Sequence, residues 1–276
     1  MSASPPLAPP SARPRAAVPA ALIVGAASIA TLVVAWQVVA MAGIVPARVL
    51  PTPLDVALRF ATLAVETFSG STLEGHALAS LTRWVIGAAC AIALGIPLGV
   101  ALAWLPPLRP VIAPAFELLR FIPPFAWVPI AVLWFGASTT TQALIVFIAA
   151  FPACVINAHL GVSLVDPILP RAAAMLGAGG VATLRRVVLP VAAPSIFTGV
   201  RIAFSNGWMA LVGAELVVGK QGLGFLISQG QINDSVTTIM VGMIAIGALG
   251  ALIDFGFQRV ERAWLPWLAF GAKRAS

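Results

Sequence analysis

Long stretches without any charge alternate along the chain with short segments that collect most of its arginines. Residues 1–19 are rich in Pro, Ala and Ser and show no apolar period, which predicts a disordered tail. A charge-free stretch follows from Ala16 to Ala47. A cleavable signal core runs to roughly 7–15 residues; a stretch about twice that length predicts a retained first membrane span over 20–42. Trp84 to Leu108 is also charge-free. At about 1.5 Å per residue it covers the roughly 30 Å hydrocarbon layer. Phe121 to Val165 contains no Asp, Glu, Lys or Arg. That is too long for one helix, and Gly136-Ala-Ser-Thr-Thr-Thr141 supplies a turn within it, so spans are expected near 111–135 and 142–162. Residues 194–217, carrying Arg201 and Glu215, predict a fifth span, and 235–253 a sixth.

Six spans put both termini on one side, and the basic residues agree with that parity. With the N-terminus inside, the inner segments hold Arg13, Arg15, Arg109, Arg171, Arg185, Arg186, Arg259, Arg262, Lys273 and Arg274. The outer segments hold only Arg48, Arg59 and Lys220. An inner excess of Lys and Arg is how membrane proteins are oriented. Trp264 and Trp267, beside Arg259 and Arg262, read as an interfacial anchor. The expected organisation is a cytoplasmic tail over 1–19, the first helix over 20–42, and a periplasmic loop over 43–79 with an amphipathic helix at Thr52–Phe60. A five-helix core spans 80–262 with an inner loop at 163–193, and a cytoplasmic tail spans 263–276.

Composition narrows the class further. Apolar residues make up 60% and charged residues 9% of the 276, and mean hydropathy is +1.02. Soluble domains are about 25% charged, so a soluble enzyme, a disordered chain and a disulfide scaffold are all disfavoured. The net charge of +7 is dispersed and is no nucleic-acid signature. Cys90 and Cys154 have neither metal-site nor disulfide spacing, and His76 and His159 do not make a metal centre.

Several features inside the spans bear on function. Gly87, Ala91, Gly95, Gly99 and Ala103 recur every four residues, the spacing of a close helix–helix seam, with Pro97 inside it. Pro110, Pro114, Pro123, Pro124 and Pro129 crowd the third span around Glu117 and Arg120. Each internal proline removes a backbone hydrogen bond, and freed carbonyls cannot face lipid. That span is therefore expected to line a pathway. Arg83, Arg201, Glu215 and Asp254 fall near span ends and are expected to snorkel or to pair between helices. In the inner loop, Asp166-Pro167 starts a helix, Gly177, Gly179 and Gly180 turn it, and Val181 to Val188 forms a second helix stopped by Pro190. Two short helices about a glycine turn form a docking element for a cytosolic partner.

This hairpin resembles the EAA loop of ABC-type importer permeases: Glu-Ala-Ala, three residues, Gly, nine residues, an apolar residue, one more, then Leu-Pro. Ala172, Ala173, Gly177, Val187, Leu189 and Pro190 fall in register, while Arg171 stands where the motif has Glu. Residues 50–262 are similar to the nitrate/sulfonate/taurine permease group. The matching stretches are Ser80-Leu-Thr-Arg83, Gly95-Ile-Pro-Leu-Gly99, Leu119-Arg-Phe-Ile-Pro-Pro124, Ala126-Trp-Val-Pro129, Leu133-Trp-Phe-Gly136, Pro194-Ser-Ile-Phe-Thr-Gly-Val-Arg201, Trp208, Glu215 and Gly222-Leu-Gly224.

The resemblance implies an all-α, type I importer fold in the bacterial inner membrane, with six transmembrane helices and a cytoplasmic coupling hairpin. It implies a homodimer, served by cytosolic ATP-binding subunits and a substrate-binding protein, that carries aliphatic sulfonates, taurine, nitrate or a related small anion. Arg171, Ala172, Ala173, Gly177, Leu189 and Pro190 would couple it to the ATPase. Glu117, Arg120, Pro123, Pro124, Trp127, Arg201, Trp208 and Glu215 are the pathway candidates. ATP and Mg would be bound by the partner, because no Gly-rich phosphate loop occurs; Gly219-Lys220-Gln221 fails at its last position. The alternatives are an ion-gradient-driven transporter or channel, and an intramembrane enzyme. For the enzyme, no convergent nucleophile–base or metal set is present in the spans.

Overall fold

Uniformly apolar stretches have to satisfy their backbone polar groups internally in lipid, and helices do so. In the computed structural model, which describes residues 18–43, 46 and 48–264, those stretches are helices, and among the described residues the only β pairing is a bridge between Phe68 and Ser71. The tail expected over 1–19 lies outside the described residues except for its last two, and that over 263–276, with Trp267, except for its first two.

The chain divides into two compact units, residues 1–55 and 56–276. In the first, α1 (Val18–Met41) exposes Ile23, Ile29, Leu32 and Val38 around its circumference, as a lipid-embedded helix does. Trp36 Nε1 donates to the Pro51 carbonyl at 3.1 Å. Thr52 and Asp55 then exchange backbone-to-side-chain bonds of 3.1 and 3.2 Å, a capping box that starts α2 (Pro53–Val65).

In the second unit Val56 and Leu63 of α2 are buried, and Arg59 Nε donates to Thr238 Oγ1 at 3.0 Å. The core is built from α3 (Leu73–Trp104), α6 (Thr139–Ser163) and α9 (Leu189–Val218), which pack against one another. The central helix is α6, with Ile145, Val146, Ala150 and Ala158 fully enclosed. The four-residue stripe of α3 faces it. A Cβ at Gly87 would sit 2.5 Å from that of Val146, and one at Gly99 would sit 2.8 Å from that of Ala158. Outside this core, α10 (Leu223–Ile232) packs on α9 and on α11 (Val236–Trp264).

Four expectations need correction. The third span is not one helix over 111–135 but α4 (Arg109–Arg120) and α5 (Val128–Phe135), bent by 91°. Among the described residues, five helices are long and apolar enough to cross a membrane, six only if this bent pair is one span. Proline forces its predecessor out of the α region, and Pro123 sits at φ −55°, ψ 137° because Pro124 follows it. The second span begins at Leu73, ahead of its charge-free window, because His76, Ser80 and Arg83 in its first turns are buried and paired, while Glu74 at its very start is exposed. Residues 218–234, expected to be an outer loop, contain α10. Finally, Pro190 stops nothing. A short helix α8 (Gly180–Thr183) passes through a π-turn at Leu184–Val188 directly into α9. There Leu189 N–H bonds the Leu184 carbonyl, and this five-residue bond absorbs the proline's missing donor.

Gly99→Val forces overpacking against α6, which typically costs about 1–3 kcal/mol. We expect a lowered thermal midpoint in detergent; an unchanged midpoint would mean that the α3–α6 seam is not close-packed in solution.

Candidate functional site

At the N-terminal end of α3, a buried carboxylate gathers the surrounding backbone. Glu215, on the last turns of α9, is 0% exposed. Arg83 Nη1 donates to its Oε1 at 2.9 Å and also to the Gln221 carbonyl. Ser80 Oγ lies 2.8 and 2.9 Å from the two carboxylate oxygens, and Gly224 N–H donates to Oε2 at 3.0 Å. Leu223 N–H donates to Ser80 Oγ at 2.9 Å, and Gly222 N–H to His76 Nδ1 at 3.1 Å. His76 Nδ1 is thereby the acceptor, leaving Nε2 to donate to the Phe68 carbonyl at 3.0 Å. Gly222 has φ +127°, and a Cβ there would collide with the Glu215 carboxylate. This cluster staples the α9–α10 connection to α3. Glu215 is thus sealed inside the protein and does not line an open path.

Where α4 and α5 part, they leave a cavity of about 590 Å³ against α6 and α9, lined by Phe116, Arg120, Pro124, Trp127, Phe151 and Asn206 among others. Three of the pathway candidates from the third span meet here. Glu117 and Arg120 pair at 2.5 Å on the exposed side of α4. The enclosed Trp127 Nε1 has no partner among the described residues.

On the adjoining face of α9, Thr198, Arg201, Ser205 and Asn206 are exposed together with Ile202 and Met209, on one side of a membrane-length helix. Arg201 Nε and Nη2 donate to Asp254 Oδ1 and Oδ2 at 2.8 and 3.0 Å. Beside this pair is a second cavity of about 190 Å³, lined by Ser205, Trp208, Met209 and Gly250 as well as the two charges. Trp208 is buried, its Nε1 donating to the Ile246 carbonyl at 3.3 Å. Met209 borders both cavities.

At the far end of α9 stands the hairpin. Asp166 Oδ1 accepts from Ile168 N–H at 2.9 Å and starts α7 (Ile168–Met175). The helix ends with Gly177 N–H on the Ala174 carbonyl and Ala178 N–H on that of Ala173, both 3.0 Å, and with Gly177 at φ +80°. This is a Schellman closure, which favours glycine at that position. Beside the turn, Met175 and Leu176 are each 89% exposed. Arg171 and Ala172 are exposed and Ala173 is half-buried. Leu189 and Pro190 lie in the first turn of α9, away from the hairpin tip.

Residues 95–267 match the family described as "Binding-protein-dependent transport system inner membrane component". The chain belongs to that family. The taurine transport system permease protein TauC of Escherichia coli (strain K12) is 35% identical over 218 residues, 79% of each chain. The nitrate import permease protein NrtB of Synechocystis sp. is 31% identical over 221 residues, covering 78% of this chain and 80% of that one. The fold is also that of a chain from an inward-facing structure of the MetNI methionine ABC transporter. There the TM-score is 0.58 at 22% identity, covering 67% of this chain and 93% of the other. The family match begins within α3, so α1 and α2 precede it.

Sequence reasoning did not assemble the Glu215 cluster. Ser80, Arg83, Glu215, Gly222 and Gly224 all stand in the matching stretches, but no linear spacing links residue 80 to residue 215. It also left Asp254 out of the pathway set, although Arg201 inside an apolar run called for a nearby anion.

Removing one member of a buried ion pair costs about 3–5 kcal/mol, because the other charge stays buried without its partner. Glu215→Gln is expected to show a loss of that size in a denaturant titration, and Arg83→Met added to it should recover part. A double variant as destabilised as the sum of the singles would contradict the pairing.

Proposed function

We propose that this permease works as a pair of identical copies with the hairpin and both termini in the cytoplasm. Cytosolic ATP-binding subunits, which hold the ATP and Mg, dock on each hairpin, and a substrate-binding protein delivers a small oxyanion on the opposite side. The names of the relatives, taurine and nitrate permeases, support a compact anionic cargo such as a short sulfonate or nitrate.

One observation carries the reading. Two large apolar side chains, Met175 and Leu176, project almost fully exposed from a glycine-closed tip. An exposed apolar knob on a rigid turn is suited to a partner's groove. Since α8 runs through the π-turn into α9 without a break, displacement of the tip turns or tilts the exposed face bearing Arg201 and Asn206. Closure of the ATP-binding subunits would thus bias which side the pathway opens to, by its different affinity for the two states. An ion-gradient-driven transporter would leave that knob unpartnered.

The test is uptake by proteoliposomes containing the permease with its ATP-binding subunits and binding protein. Leu176→Asp should release the ATP-binding subunit on gel filtration. Gly177→Val strains a left-handed backbone position. It should lower ATP-driven uptake at least tenfold, about 1.4 kcal/mol of lost coupling, while the ATP-binding subunit still hydrolyses ATP. Normal uptake in both variants, or uptake by wild type without ATP, would refute the lever.

A further inference from the structure

We infer that Arg201 is an anion station in the pathway and that Asp254 is the internal counter-ion that keeps its grip weak enough for release. This rests on the transport reading above and locates, within this chain, where the cargo's charge is met.

The first support is depth. Arg201 lies about 18 Å along α9 from Leu189 and about 25 Å from Val218, at 1.5 Å per residue, within a run long and apolar enough to cross a membrane. The second is exposure. The side chains of Arg201 and Asp254 are 45% and 40% exposed, and an ion pair does not face hydrocarbon that way; it faces protein or a water-filled cavity. Thr198, Ser205 and Asn206 are exposed on the same side of the helix, interleaved with Ile202 and Met209.

The third support is the cavity itself. At about 190 Å³ it falls below the roughly 300–1,000 Å³ of pockets for drug-sized ligands, so it suits an ion of a few heavy atoms. Its polar lining is the Arg201 guanidinium, the Asp254 carboxylate and the Ser205 hydroxyl, which donates to the Arg201 carbonyl at 3.3 Å. The fork to Asp254 uses Nε and Nη2, and Nη1 is the nitrogen outside it. A planar guanidinium is matched to oxyanions. An isolated arginine at this depth would hold an anion too tightly to pass it on. Passage needs binding that is favourable on entry and weak on exit, and a resident carboxylate competing for the same nitrogens provides both. Asp254 is itself steadied by Gln258 Nε2 at 2.8 Å.

The experiment uses the full chain in lipid nanodiscs. Iodide, an anionic quencher, is titrated against the Trp208 emission, obtained as the difference from Trp208→Phe, with methanesulfonate as a non-quenching competitor. Wild type should show saturable quenching that methanesulfonate relieves. Arg201→Gln should abolish the saturable part, and Arg201→Lys, the conservative variant, should retain some of it. Asp254→Asn should lower the half-saturating iodide concentration roughly tenfold or more, as expected when a nearby competing charge is removed, and in proteoliposomes it should slow uptake. A purely structural pair predicts the same direction of change for Arg201→Gln and Asp254→Asn; that result, or quenching that methanesulfonate does not relieve, overturns the proposal. Because the quenching needs no ATP or partner, a failure of ATP-driven uptake in wild type is read separately, as a failure of the transport reading.

Discussion

A carboxylate fully withdrawn from solvent has to be met on every side, and Glu215 is met by Arg83, by the Ser80 hydroxyl and by the Gly224 N–H. The α9–α10 connection can run where it does only because these partners are there. Gly222 passes against the carboxylate with no side chain, and the backbone donors of residues 222–224 all find side-chain acceptors on α3 or on Glu215 itself. Three elements distant in sequence are tied together at one end of the bundle.

The same rule explains the prolines. In lipid a broken hydrogen-bond ladder is tolerated where protein or water covers it. Pro97, Pro152 and Pro194 sit inside intact helices. Pro123-Pro124 has no such continuity to fall back on, and the chain turns by 91° and opens a cavity. At Pro190 a local widening to a π-turn keeps the helix running. That continuity links the hairpin tip to the exposed face of α9, with the stapled end as the opposite fixed point.

Much of this was present in the linear chain. Charge-free stretches marked the spans because twenty-odd apolar residues have few alternatives to a membrane helix. The small residues of α3 foretold a close helix–helix seam, whose partner is α6, and Asp166, Gly177 and the residues between them foretold α7 and its turn, because capping is decided within a few neighbours. The register of the hairpin with the EAA loop pointed to the family that residues 95–267 then matched.

Other features depended on the third dimension. No local rule says that Ser80 meets Glu215, or that Arg201 meets Asp254 fifty-three residues on, because such pairs form only when helices cross. Whether a proline breaks, bends or is absorbed also depends on what packs beside it: Pro124 broke its span, while Pro190, which read as a stop, did not. The sequence by itself determined which segments are apolar enough to enter a membrane and how the hairpin closes, since hydropathy and backbone geometry act over a few residues. The tertiary structure alone decided which charges are sealed and which face open space, since burial is a property of the neighbours a side chain acquires on folding.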